Sequence, residues 1–109
     1  MLSLRVNELK AFAAATPDAL LLDVREGWEV ATARLELPAL EFRHVSMHEL
    51  PARLDELDPS QPVVCICHHG ARSAQVVAFL QRQGHNRAYN LDGGIDAWSA
   101  LVDPSVPRY

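Results

Sequence analysis

Apolar residues along this chain fall into two rhythms: short unbroken runs, and stripes spaced by three or four. Leu20-Leu21-Leu22-Asp23-Val24 is a run, and Pro62-Val63-Val64-Cys65-Ile66-Cys67 is the clearest one. Unbroken apolar runs of this length suit strands of a parallel sheet covered on both faces. Arg87 to Asn90 reads as a further short strand. The stripes predict helices. Asn7 is placed to cap a helix through Ala15, with Leu9, Phe12 and Ala13 on one face. Ser46 begins another, with Met47, Leu50, Leu54 and Leu57 as its core face, Pro51 in its first turns and Pro59 just past its end. Ser73 to Gln83 places Val76, Val77 and Leu80 inward and stops at Gly84. Ile95 to Leu101 follows the turn Asp92-Gly93-Gly94, with Ile95 and Trp98 as core anchors. A turn or short helix fits Glu26 to Ala33, and Leu35 to Val45 has room for a short strand. Strands alternating with helices predict an α/β fold around a mostly parallel sheet.

Composition narrows the function classes. The chain has 109 residues, room for one domain, residues 1–109, and too few for two. The tail 103–109 carries two prolines and is expected to be extended. Net charge is −4 with histidine neutral, and Lys10 is the single lysine, so no basic stripe for nucleic acid is present. No apolar run approaches the ~20 residues a membrane span needs. The N-terminus has no secretory pattern, and the expected location is the cytoplasm. Two cysteines, Cys65 and Cys67, stand too close on a strand to bridge easily, and no zinc-finger ligand spacing accompanies them.

Chemistry concentrates in Cys67-His68-His69-Gly70-Ala71-Arg72-Ser73. Cys67 ends the best strand and Ser73 opens the best helix, and ligand sites of open α/β sheets lie at the carboxyl ends of strands. A tight glycine-containing loop entering a helix N-terminus aims several backbone N–H groups at one spot and stabilises negative charge there. A thiolate at that spot is a nucleophile near neutral pH. Arg72 adds a permanent positive charge for an anionic substrate, and its place at a helix start, mildly unfavourable with the dipole, points to an anion. Ser73 is expected to cap the helix or donate into the loop, and His68 and His69 to line it as donors. Adjacent residues do not share a face, so the histidine pair is read as loop lining and not as zinc ligands. Cys65, inside the apolar strand, is read as core.

The segment Cys67-x-x-Gly70-x-Arg72-Ser73 resembles the active-site loop of rhodanese-like domains. Leu21-Leu22-Asp23-Val24-Arg25-Glu26 with Trp28-Glu29 resembles that family's N-terminal signature, and Asn90-Leu91-Asp92-Gly93-Gly94-Ile95-Asp96-Ala97-Trp98 its C-terminal one. The tail from Asp103 to Tyr109 resembles that of small stand-alone bacterial members. One segment departs from the pattern: Ala33-Arg34-Leu35-Glu36-Leu37-Pro38 puts Arg34 where histidine is usual. The resemblance implies a sheet of about five strands flanked by helices on both faces. It also implies a sulfurtransferase using Cys67 as a persulfide carrier. The loop residues His68 to Ser73 would bind the substrate, with Asp23 and Arg25 supporting the site as an ion pair or by bonds to backbone. A small sulfur-containing anion and a thiol or cyanide acceptor are the implied substrates. A cysteine desulfurase or sulfur-carrier protein is the implied alternative partner. No metal or cofactor is called for, and a monomer or weak homodimer is expected.

Three other functions compete with this one. Phosphatases that share the fold place arginine six residues after cysteine. Here Arg72 is the fifth, which shrinks the amide ring to the size of a sulfur atom and predicts no useful phosphatase or arsenate reductase activity. A non-catalytic scaffold would not need Cys67, Gly70 and Arg72 together. A protein-to-protein sulfur relay differs in partner and not in chemistry.

Overall fold

The computed structural model describes residues 1–109. Five strands form one sheet: β1 (Leu2–Arg5), β2 (Leu20–Asp23), β3 (Glu41–His44), β4 (Val63–Ile66) and β5 (Ala88–Asp92). Their order is β1-β5-β4-β2-β3, and every pairing is parallel. The α-helices are α1 (Leu9–Ala15), α2 (Gly27–Thr32), α3 (Ala71–Arg82) and α4 (Gly94–Leu101). The predicted α/β class and largely parallel sheet are therefore the observed ones.

β4 and β2 lie at the centre, and all four residues of each are buried, as unbroken apolar runs require. Side chains alternate across the sheet. Leu20, Leu22, Val63 and Cys65 face α3 through Val76, Val77 and Leu80. Leu21, Val64, Ile66 and Leu91 face α1 and α4 through Leu9, Ala13, Ile95 and Trp98. Helices thus cover both faces, and Trp98 is fully buried as predicted. No helix is long and apolar enough to cross a membrane.

Three local expectations change. The N-terminal segment, given no element by its sequence, is the edge strand β1 beside β5. The first helix is not capped by Asn7. A 3-10 turn over Val6–Glu8 leads into α1, and the Arg5 N–H donates to Glu8 Oε1 at 2.8 Å. The helix expected from Ser46 is a turn followed by a 3-10 helix over Leu50–Glu56. Ser46 Oγ does not cap it but donates to Glu26 Oε1, 3.0 Å away. Leu50 and Leu57 are nonetheless buried and Leu54 packs beside them, so the stripe is a core face. The atypical segment after α2 is well packed: Ala33 and Leu35 are buried, and the Arg34 guanidinium sits 4.0 Å from the Phe42 ring centroid. The tail 103–109 has no regular structure, as its prolines require, yet it is not loose, since Val106 is buried in the core.

Candidate active site

β4 ends at Ile66 and α3 begins at Ala71, which leaves Cys67 to Gly70 as a four-residue crossing at the carboxyl end of the central strand. Gly70 is the hinge. Its φ is +103°, and a Cβ there would fall 3.2 Å from the Gly93 nitrogen, so no other residue fits this backbone without strain. The hinge turns the chain back so that Cys67 Sγ lies at the N-terminal end of α3. Sγ accepts from the Gly70 N–H at 3.1 Å and the Ser73 N–H at 3.4 Å, and touches Ser73 Oγ at 3.3 Å. Helix dipole and aimed amides therefore act on one sulfur. The residue is 1% exposed, so the loop covers the thiol almost completely.

A second turn braces the loop from below. Gly93, between β5 and α4, and Gly94, the first residue of α4, carry φ of +81° and +61°. They bring the first amides of α4 under the loop: the Ile95 N–H donates to the Cys67 carbonyl and the Asp96 N–H to the His68 carbonyl, each at 3.0 Å. A Cβ on Gly94 would stand 2.5 Å from both carbonyl oxygens. The glycine pair is thus a close approach of two backbones and not a phosphate loop.

Ser73 is fully buried in the first turn of α3, where Gly70 occupies the cap position, so Ser73 does not cap the helix. Its hydroxyl donates to Asn90 Oδ1 at 2.5 Å. The orientation of Asn90 follows from its other partners: Nδ2 donates to the Gly70 carbonyl (3.3 Å) and to Asp92 Oδ1 (3.1 Å), which leaves Oδ1 to accept. Asn90 therefore holds both the hinge and the hydroxyl beside the nucleophile.

Arg72 is not a free cation. Its Nη1 and Nη2 donate to Glu29 Oε1 and Oε2 at 2.7 and 2.8 Å. The Arg72 bonds, joined by one from Tyr109, hold the Glu29 carboxyl far down, at about 2. Asp23 and Arg25 form the anticipated ion pair, fully buried at 2.7 Å, with Nε and Nη2 of Arg25 both on the carboxylate. Arg25 also donates to the Ala33 carbonyl and to the Tyr109 hydroxyl, at 2.7 and 2.9 Å. Burial pushes the Cys65 thiol up to about 12, in keeping with its core reading.

The two histidines do not diverge as adjacent residues were expected to. The His68 ring is sandwiched between His69 (centroids 3.9 Å, 30°) and Tyr109 (3.9 Å, 5°). Neither histidine bonds to Cys67 Sγ, whose polar contacts come from Gly70 and Ser73. Burial lowers the pKa of His68, with the His69 charge as the next cause. Ligand atoms of His68, His69 and Asp96 lie within 4.8 Å of one another. Both Asp96 oxygens, however, already accept from Arg108 at 3.0 and 3.1 Å. The cluster is an aromatic stack beside a paired carboxylate.

Glu29, Asn90 and Tyr109 were given no role from sequence, although the first two stand inside the quoted motifs and the third ends the tail. Ala71, the first residue of α3, is exposed at the loop mouth.

Comparison with known proteins agrees with this geometry. The rhodanese-like domain profile matches residues 6–101. A protein named sulfurtransferase from Allochromatium vinosum is 42% identical over 93 residues, covering 85% of this chain and 83% of its own. Thiosulfate sulfurtransferase GlpE of Actinobacillus pleuropneumoniae is 38% identical over 91 residues, covering 84% and 81%. The crystal structure of a rhodanese-like domain protein from Staphylococcus aureus superposes with a TM-score of 0.79 at 28% identity, over 100% of this chain and 99% of that one. With the glycine-hinged cysteine loop at the end of β4 and the profile covering nearly all of the sheet, the chain belongs to the rhodanese-like domain family.

Proposed function

We propose that this chain is a sulfurtransferase that carries a sulfane sulfur as a persulfide on Cys67. The observation that carries this reading is the position of Sγ, which receives N–H groups of Gly70 and Ser73 at the start of α3. Family membership and relatives named as sulfurtransferases support the same class of reaction.

The first step is attack by the Cys67 thiolate on the outer sulfur of thiosulfate or another sulfane donor. A new S–S bond forms, the S–S bond of thiosulfate breaks, and sulfite leaves with the electron pair. In the second step an acceptor thiolate or cyanide attacks the outer persulfide sulfur. The Cys67 thiolate departs and the cycle closes, a ping-pong sequence with one covalent intermediate. The charge stays within reach of the same amides in both steps, so the loop acts as a preorganised anion hole. Phosphate chemistry is disfavoured, because both terminal nitrogens of Arg72 are spent on Glu29.

Intact mass after thiosulfate treatment tests the proposal. Wild type and Cys65→Ser should each gain one sulfur atom, and Cys67→Ser none. Absence of any gain in wild type with thiosulfate, polysulfide and a low-molecular-weight persulfide defeats the reading.

A further inference from the structure

Tyr109 connects the end of the tail to both sides of the Cys67 loop. On one side its ring lies flat on His68, 3.9 Å away. On the other its hydroxyl donates to Glu29 Oε2 at 2.7 Å and accepts from Arg25 Nη1 at 2.9 Å. Two independent anchors hold the tail in this position. Arg108 grips both oxygens of Asp96 at the start of α4, and Val106 is buried.

The hydroxyl has one proton. Because it accepts from the Arg25 guanidinium, that proton goes to the Glu29 carboxylate. Glu29 thereby takes four hydrogen bonds: two from Arg72, one from Tyr109 and one from the Glu26 N–H at 3.1 Å. Every donor other than Arg72 draws off part of the carboxylate's negative charge. More of the Arg72 positive charge is then left to act on Cys67, with which the half-buried guanidinium interacts through space.

We propose that Tyr109 is a positioning and selectivity residue of this site, setting through Glu29 how much of the Arg72 charge an incoming anion meets at Cys67. The inference rests on Cys67 as the nucleophile, and it goes beyond the sulfur-transfer reading by naming what tunes the preference for anionic donors.

The test compares alkylation of Cys67 by iodoacetate, an anion, with that by iodoacetamide, its neutral counterpart, in a Cys65→Ser background near neutral pH. The ratio of the two rates reads the local charge, and a general loosening of the fold raises both rates together. Tyr109→Phe keeps the ring on His68 but removes the donated proton, and the iodoacetate-to-iodoacetamide ratio should fall about threefold or more. Glu29→Gln removes the neutralising charge, and the ratio should rise. Trp28→Leu removes a ring that packs edge-on against Tyr109 at 5.9 Å without touching the charge chain, and should leave the ratio unchanged. Opposite signs for Tyr109→Phe and Glu29→Gln support the inference. An unchanged ratio in Tyr109→Phe, a shift of the same sign in both variants, or an equal fall in Trp28→Leu overturns it. A ratio that responds as described in a protein that takes no sulfur from thiosulfate removes the sulfur-transfer reading and keeps the tuning. Failure of both reagents to label Cys67 in a parent protein that still gains sulfur overturns the tuning and leaves the sulfur-transfer reading standing.

Discussion

Asn90 sits beneath the nucleophile without touching it, and its amide satisfies three groups at once: the Ser73 hydroxyl, the Gly70 carbonyl and the Asp92 carboxylate. An apolar residue of similar size would leave Ser73 and Gly70 buried with one partner fewer each. Asn90→Leu is therefore expected to cost about 2 kcal/mol of stability, the scale of an unmet buried polar group. It should also slow sulfur loading of Cys67 about tenfold or more, because the hydroxyl beside Sγ and the carbonyl of the hinge are both released. Urea denaturation measures the first effect and the time course of the intact-mass gain the second. A loading rate equal to wild type would take Asn90 out of the site. This residue also marks how far the sequence could be read. Cys67, Gly70 and Ser73 were legible because the loop is contiguous, and hydrogen bonds within a turn follow from spacing. Asn90 meets Ser73 across 17 positions, and Glu29 meets Arg72 across 43. Such pairings depend on which strands become neighbours, which one-dimensional spacing does not encode. The ion pair of Arg72 was hidden for that reason: its charge was evident, but Glu29 lay on another helix.

Elements are positioned here by contacts between backbones as much as by side chains. The start of α4 presses against the carbonyls of Cys67 and His68, and Gly94 makes that approach possible. Gly94→Ala would place a Cβ 2.5 Å from two backbone oxygens while also forcing a side chain onto a φ of +61°. The combined clash and strain should cost about 3 kcal/mol, and loading of Cys67 should fall with it as the loop shifts. Gly84 provides the comparison. It has a φ of +92° but nothing within 4 Å of an added Cβ, so Gly84→Ala should cost about 1–2 kcal/mol and leave the loading rate alone. Equal losses of activity in the two variants would refute the brace. At this scale the sequence was a good guide where its signals were long. The central strand and α3 were both read correctly within two residues, because an unbroken apolar run and an eleven-residue stripe are hard to mistake. β1 was not read, since a four-residue edge strand with three exposed positions carries little pattern. The 3-10 segment at Leu50–Glu56 was taken for a longer helix, because apolar residues at intervals of four and three fit either geometry.

Across the whole molecule, one buried carboxylate joins three distant parts of the chain. Glu29 belongs to α2, holds Arg72 of α3 and accepts from Tyr109 at the end of the tail, 80 positions away. Its exposure is only 4%, so solvent does little to weaken these bonds. They lower its pKa from an ordinary 4.5 to about 2, with the Arg72 hydrogen bonds as the leading cause. A carboxyl group whose folded-state pKa lies below its unfolded value binds its proton more readily once the chain unfolds. Its contribution is then fully present above about 4.5 and is lost as pH falls through that value towards 2. The size is on the order of 3 kcal/mol, a large share of the stability of a domain this small. Glu29→Gln removes the titrating group and most of the ion pair. At neutral pH the variant should be less stable than wild type by a few kcal/mol, and the gap should stay flat down to about pH 5. Below that the wild type loses what the variant never had, and the two curves should converge towards pH 2.5. Denaturant midpoints taken across this range decide the matter. A gap of constant size down to the acid end would mean that Glu29 is not the group that couples the loop, the helix and the tail.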